Sequence, residues 1–158
     1  MTDLTAYLQR AADVISASAS VTGAAVDRAI DLLANAALGD KPILICGNGG
    51  SAADSMHIAG ELVGRFLKER RALNCRSLAT DPAILTAWSN DYAFDDVFAR
   101  QVEAYGTSGG VLIAISTSGN SANVIKALAA ARRRGIASIG LPGQGGGQIA
   151  GHCEALIA

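Results

Sequence analysis

Pro42-Ile43-Leu44-Ile45-Cys46-Gly47-Asn48-Gly49-Gly50-Ser51-Ala52 is a short, continuously apolar run that breaks into glycine and then opens a helix. An apolar run of that length, with no polar alternation, is the mark of a strand covered on both faces. The glycine turn after it leaves backbone N–H groups at a helix N-terminus, where an anion is favoured. The helix continues through His57 and Glu61. Residues four apart stand one above the other on a helical face, so an imidazole and a carboxylate follow the anion cradle by one to two turns. A phosphorylated substrate held beside acid–base or metal chemistry is the function this order of residues points to.

The pattern repeats outward from that stretch. Val111-Leu112-Ile113-Ala114-Ile115 reads as a second buried strand, and it too runs into a polar loop and a helix, from Ser121 to Arg134 with Gly135 as its stop. Arg76 to Ala79 and Ile136 to Leu141 read as further strands, and Ala155 to Ala158 as the beginning of a last one. Asp81-Pro82 is a helix start, and residues 92–105 read as helical. On the N-terminal side the period changes. Leu4, Tyr7, Leu8, Ala11, Val14 and Ile15 recur at helical spacing over residues 3–20, and a second helix is expected over 23–38 with Val26, Ile30 and Leu33 buried. The expectation is an α/β fold in one domain, residues 1–158. Two N-terminal helices (about 3–38) precede a doubly wound parallel sheet flanked by helices (about 41–158). Ligands then belong at the carboxyl ends of the strands, where both loops fall.

The chain has 158 residues, enough for one buried core, and half of them are hydrophobic, much of that alanine. A formal charge of −1 gives no electrostatic reason to expect nucleic acid or an anionic membrane as partner. No apolar run is long enough to span a bilayer, and Thr2-Asp3 is not the basic start of a signal peptide. Cys46, Cys75 and Cys153 are odd in number, far apart and without metal-type spacing, so reduced thiols in a cytoplasmic protein are expected.

The second loop, Ser116-Thr117-Ser118-Gly119-Asn120-Ser121, packs four hydroxyls into six residues at a helix start. A plain turn with an N-cap would use one or two of them; their density favours phosphate oxygens as the partner. Neither loop ends in the Gly-Lys-Ser/Thr of a nucleotide P-loop. Gly47-Asn48-Gly49-Gly50-Ser51-Ala52 fits the dinucleotide pattern G-x-G-x-x-A, but no acidic residue closes a second strand about 20 residues on. His57 and Glu61 suit zinc, or Glu61 a general base; the bland alternative is a polar helix face with Glu61 solvated or paired with Arg65. Asn90-Asp91 reads either as a turn with an N-cap or as a contact for sugar hydroxyls. Asp54 and the Arg132-Arg133-Arg134 run complement helix dipoles, and Lys68 to Arg71 reads as a solvated connection.

Gly47-Asn48-Gly49-Gly50-Ser51, His57-x-x-x-Glu61, Gly64-Arg65-Phe66, Asn90-Asp91 and the Ser116–Ser121 loop occur in this order and spacing in the phosphoheptose isomerases. The chain resembles these members of the SIS (sugar isomerase) family from its N-terminal helices to about residue 151. The resemblance implies interconversion of sedoheptulose 7-phosphate and D-glycero-D-manno-heptose 7-phosphate, on the way to ADP-heptose and lipopolysaccharide core. It also implies a cytoplasmic homotetramer with one zinc ion per subunit. It assigns Ser116, Thr117, Ser118 and Ser121 to the phosphate, and Asn48, Gly49, Gly50, Ser51, Arg65, Asn90 and Asp91 to the substrate. His57 and Glu61 become zinc ligands, and Glu61 also the catalytic base.

In the family a further helix supplies a Gln and a His, both zinc ligands, the His also an acid–base group. Their positions fall beyond Ala158, so a chain truncated relative to the family is expected, with the remaining zinc ligands beyond that residue. Pro142 stands where the family usually has Thr, and Glu154 where Asp is common. The alternative is a non-catalytic SIS module that binds a phosphosugar or a protein such as a replication initiator.

Overall fold

A computed structural model describes residues 3–158. Two helices, α1 (Leu4–Val21) and α2 (Gly23–Leu38), lead into β1 (Ile43–Cys46) and α3 (Gly50–Val63). Then come β2 (Cys75–Ser77), α4 (Pro82–Asp91), α5 (Val97–Tyr105), β3 (Val111–Ser116), α6 (Ala122–Arg133), β4 (Ala137–Pro142) and β5 (Ala155–Leu156). The five strands are all parallel, in the order β2-β1-β3-β4-β5. The chain therefore winds outward in both directions from the β1/β3 pair, which is the expected doubly wound sheet.

Both central strands are covered, as their unbroken apolar runs require. Leu44, Cys46, Leu112 and Ala114 share a core with Phe98 and Val102 of α5 and with Val124, Ala127 and Leu128 of α6. Ile43, Ile45, Val111, Ile113 and Ile115 point the other way, against Ala29 and Ala36 of α2 and Ala59 of α3. The alanines let those helices lie close to the sheet. Asp81 caps α4 as read, its carboxylate accepting from the Ala83 and Ile84 N–H groups, with Pro82 at the first helical position.

Several expectations need correction. α2 turns a different face inward: Ala29 and Ala36 are buried, with Leu32 and Leu33 packed against the core, while Ile30 is 56% exposed. The helix expected over 92–105 is split. Tyr92 leaves helical geometry, a 3₁₀ turn spans Phe94–Asp96, and α5 begins only at Val97. Residues 142–151, glycine-rich and expected as loop, contain most of a 3₁₀ segment, Gly147–His152. α1 forms where its period puts it, yet its apolar residues find no cover: Tyr7 is 58% and Ile15 73% exposed.

Candidate functional site

β1 and β3 are neighbours, with Cys46 opposite Ala114, so the loops that leave them open side by side at the point where the winding reverses. In the first loop two glycines are there for different reasons. A Cβ on Gly47 would sit 2.7 Å from Cβ of Ser51, so the loop closes onto α3 only without a side chain. Gly49 takes φ +56°, ψ −120°, a conformation that L side chains avoid, in open space. No side chain caps α3, which leaves its N-terminal turn to the backbone: Ser51 N–H donates to Asn48 C=O at 3.0 Å, and Ala52 and Ala53 to Gly49 C=O.

The second loop is held from behind. Gly119, at φ +65°, donates from its N–H to Ser116 C=O, and a Cβ there would fall 2.1 Å from the Gly146 carbonyl oxygen. Gly143 N–H donates to Thr117 C=O, Ile149 N–H to Gly119 C=O, and Gln148 N–H to Oδ1 of Asn120. Ser121 occupies the N-cap position of α6 but makes no capping bond; its Oγ lies 3.0 Å from Oγ of Ser116 instead. The N-cap reading of this serine is thereby replaced. Ser116 is buried, Ser121 half-buried, and Thr117 and Ser118 exposed.

His57 and Glu61 lie on one face of α3, Nε2 to Oε1 3.9 Å, with side chains 78% and 38% exposed. That is near the ~3.4 Å between two ligands on one tetrahedral zinc, but a structural or catalytic zinc takes at least three protein donors. Among the described residues no three His, Cys, Asp or Glu side chains gather to hold a metal. The pair alone does not make a zinc site.

The remaining predicted contacts have local partners. Arg65 lies beyond α3 and pairs with Glu69 rather than Glu61. Asn90 and Asp91 are the last two residues of α4, exposed and bonded to each other (Nδ2 to Oδ1 2.9 Å), so the turn-and-cap reading is overturned. Hollows of about 650 and 500 Å³ lie away from both loops, the larger at the amino ends of β3 and β4 beside Gly110 and Ala137. Around the two loops, Thr117, Ser118 and His57 are exposed and Glu61 part-exposed. The sequence reading passed over Asn123: it is 3% exposed and exchanges amide hydrogen bonds with Asn48. Its one signal was a polar residue beside Val124, on the face of α6 that Ala127 and Leu128 bury.

The chain is similar to known proteins over nearly all of its length. Residues 6–143 match the SIS domain. A phosphoheptose isomerase of Rhodospirillum rubrum is 48% identical over 155 residues, which is 98% of this chain and 82% of that protein. One from Nitratiruptor is 57% identical over 117 residues, 74% of this chain and 63% of that protein. The phosphoheptose isomerase structure from Neisseria gonorrhoeae superposes with a TM-score of 0.91 at 39% identity, covering 98% of this chain and 82% of that one. On these matches the chain belongs to the SIS domain family and, within it, to the phosphoheptose isomerases.

Proposed function

We propose that the chain isomerises sedoheptulose 7-phosphate and D-glycero-D-manno-heptose 7-phosphate, in the cytoplasm, on the route to ADP-heptose and lipopolysaccharide core. The observation that carries this reading is the pairing of two loops at adjacent strand ends with His57 and Glu61 on the helix that one of them opens. The hydroxyls of Ser116, Thr117, Ser118 and Ser121 would hold the phosphate without a cation, donating to its oxygens. Asn48, Gly49, Gly50 and Ser51 would line the sugar chain, with Arg65, Asn90 and Asp91 as outer contacts.

The chemistry follows from the substrate. Ketose to aldose conversion removes a proton from C1, forms a C1–C2 enediol, and returns a proton to C2 while the hydroxyl proton passes from O1 to O2. The Glu61 carboxylate, part-exposed and accepting no ion pair from Arg65, is the group for the carbon proton. Anchoring the phosphate fixes C1 and C2 relative to that carboxylate. One zinc ion per subunit belongs to the same proposal, with His57 and Glu61 as two ligands and the others from outside the described residues; no step above depends on it.

A homotetramer is part of the proposal as well. The uncovered apolar face of α1 and the exposure of His57 both fit a surface completed by further subunits. The test is deuterium entry from D₂O into sedoheptulose 7-phosphate, followed by NMR. Exchange at C1 that disappears in Glu61→Gln supports the reading; exchange that survives the substitution removes Glu61 from its role.

A further inference from the structure

Asn48 and Asn123 are 75 positions apart and meet as a reciprocal amide pair: Nδ2 of each donates to Oδ1 of the other, both at 2.9 Å. Asn48 stands in the glycine loop after β1. Asn123 lies in the first turn of α6, two residues after Ser121, and is 3% exposed. An amide carries two N–H donors and two acceptor lone pairs. The pair consumes one of each on Asn48 and leaves one N–H and one lone pair on a half-buried side chain at the loop. On Asn123, closed in beside Val124, Asn48 is the partner of both the amide nitrogen and the amide oxygen.

The pair therefore ties the two loops at one point and sets which way the Asn48 amide faces. Resting on the functional reading above, we propose that Asn123 is a positioning residue. Through Asn48 it holds the glycine loop at a fixed distance from the phosphate loop, so that a phosphate seated at Ser116–Ser121 delivers the sugar carbons to Glu61. Asn123 touches no substrate. Its effect belongs to the sugar, whereas the serine hydroxyls act on the phosphate.

The experiment compares wild type, Asn48→Ala, Asn123→Ala and the double variant by calorimetric binding of sedoheptulose 7-phosphate and, separately, of inorganic phosphate, with melting temperatures recorded. Asn123→Ser, which keeps a small polar side chain but cannot form the reciprocal amide pair, keeps the test alive if Asn123→Ala does not fold. Each single variant is expected to weaken sugar phosphate binding about tenfold, the scale of one lost hydrogen bond, and inorganic phosphate less than about twofold. The double variant is expected to bind no more weakly than the weaker single, because Asn123 acts on the sugar only through Asn48. Three results overturn the proposal: wild-type sugar phosphate binding in Asn123→Ala with only a lowered melting temperature, equal loss of both ligands, or additive losses in the double variant. If wild type binds neither ligand, the functional reading falls and takes the proposal with it; if wild type binds both and Asn123→Ala matches it, the proposal alone falls.

Discussion

The loops after β1 and β3 occupy equivalent places at the ends of neighbouring strands, yet they are built from opposite materials. The first is shaped by glycine backbone and presses on its own helix through Gly47 and Ser51. The second presents hydroxyls and is braced by the segment after β4, through Gly119 against Gly146 and Asn120 against Gln148. A loop that approaches a reacting carbon needs its side chains out of the way, and a loop that holds a charged oxygen group needs donors and stiffness. On the proposed function, the difference divides anchoring and chemistry between the two.

The largest effect should come from the helix that the first loop opens. Glu61→Gln keeps the size and hydrogen-bonding reach of the side chain but cannot take a proton. Deuterium exchange should fall by about 10²- to 10⁴-fold, with sugar phosphate binding kept within a few-fold. Equal losses of binding and exchange would merge the two roles that the comparison separates.

Next in size is the brace of the second loop. Gly119→Ala puts a methyl group 2.1 Å from a backbone oxygen in a conformation already strained for alanine. Neither backbone segment can swing aside like a side chain, so a loss of at least about 3 kcal/mol is expected in urea unfolding. Phosphate binding should go with it. A mild effect would mean that the segment after β4 yields easily and braces nothing.

The strands beneath the loops differ as well: β1 ends in Cys46 where β3 carries Ala114. Burial, with the neighbouring Cys153 adding to it, pushes the Cys46 thiol from 9.0 up to about 12. The folded state thus holds this proton more tightly than the unfolded chain. The stability tied to it is complete below about pH 9 and is lost as pH rises toward 12, by about 1.4 kcal/mol per pH unit. Urea midpoints from pH 8 to 10 should fall less steeply in Cys46→Ala than in wild type. Parallel slopes would mean that β1 is no more closed beneath its loop than an exposed strand.

The parts of this arrangement that were legible in the sequence are those that depend on near neighbours. β1 and β3 announce themselves by unbroken apolar runs, and His57 with Glu61 by a spacing of four. Asp81-Pro82 announces its helix because a cap is a local bond. What could not be read depends on distant partners. Asn123 looks like any polar residue in a helix until Asn48 is brought to it across the sheet. Ile30 matches a helical period as well as Ala29 does, and only the closeness of α2 to the sheet decides for the smaller side chain. Asn90 and Asp91 carry turn chemistry, but α4 extends through them. The period of α1 was read correctly, and among the described residues its apolar face stays exposed.

The smallest effect belongs to Gly49, and it tests the contrast most sharply because the position invites the same substitution as Gly119. Both have positive φ, and they differ in what surrounds them. No atom lies within 4 Å of a Cβ on Gly49, so alanine meets only the conformational penalty, about 1–2 kcal/mol. The chain can shed part of that by relaxing the open turn, and the melting temperature should drop by only a few degrees. Sugar phosphate binding should suffer more than stability, since a relaxed turn moves the backbone that the proposed function sets against the sugar. If Gly49→Ala destabilises as much as Gly119→Ala, the turn at Gly49 is held as tightly as the turn at Gly119, and the contrast between an open turn and a braced one fails.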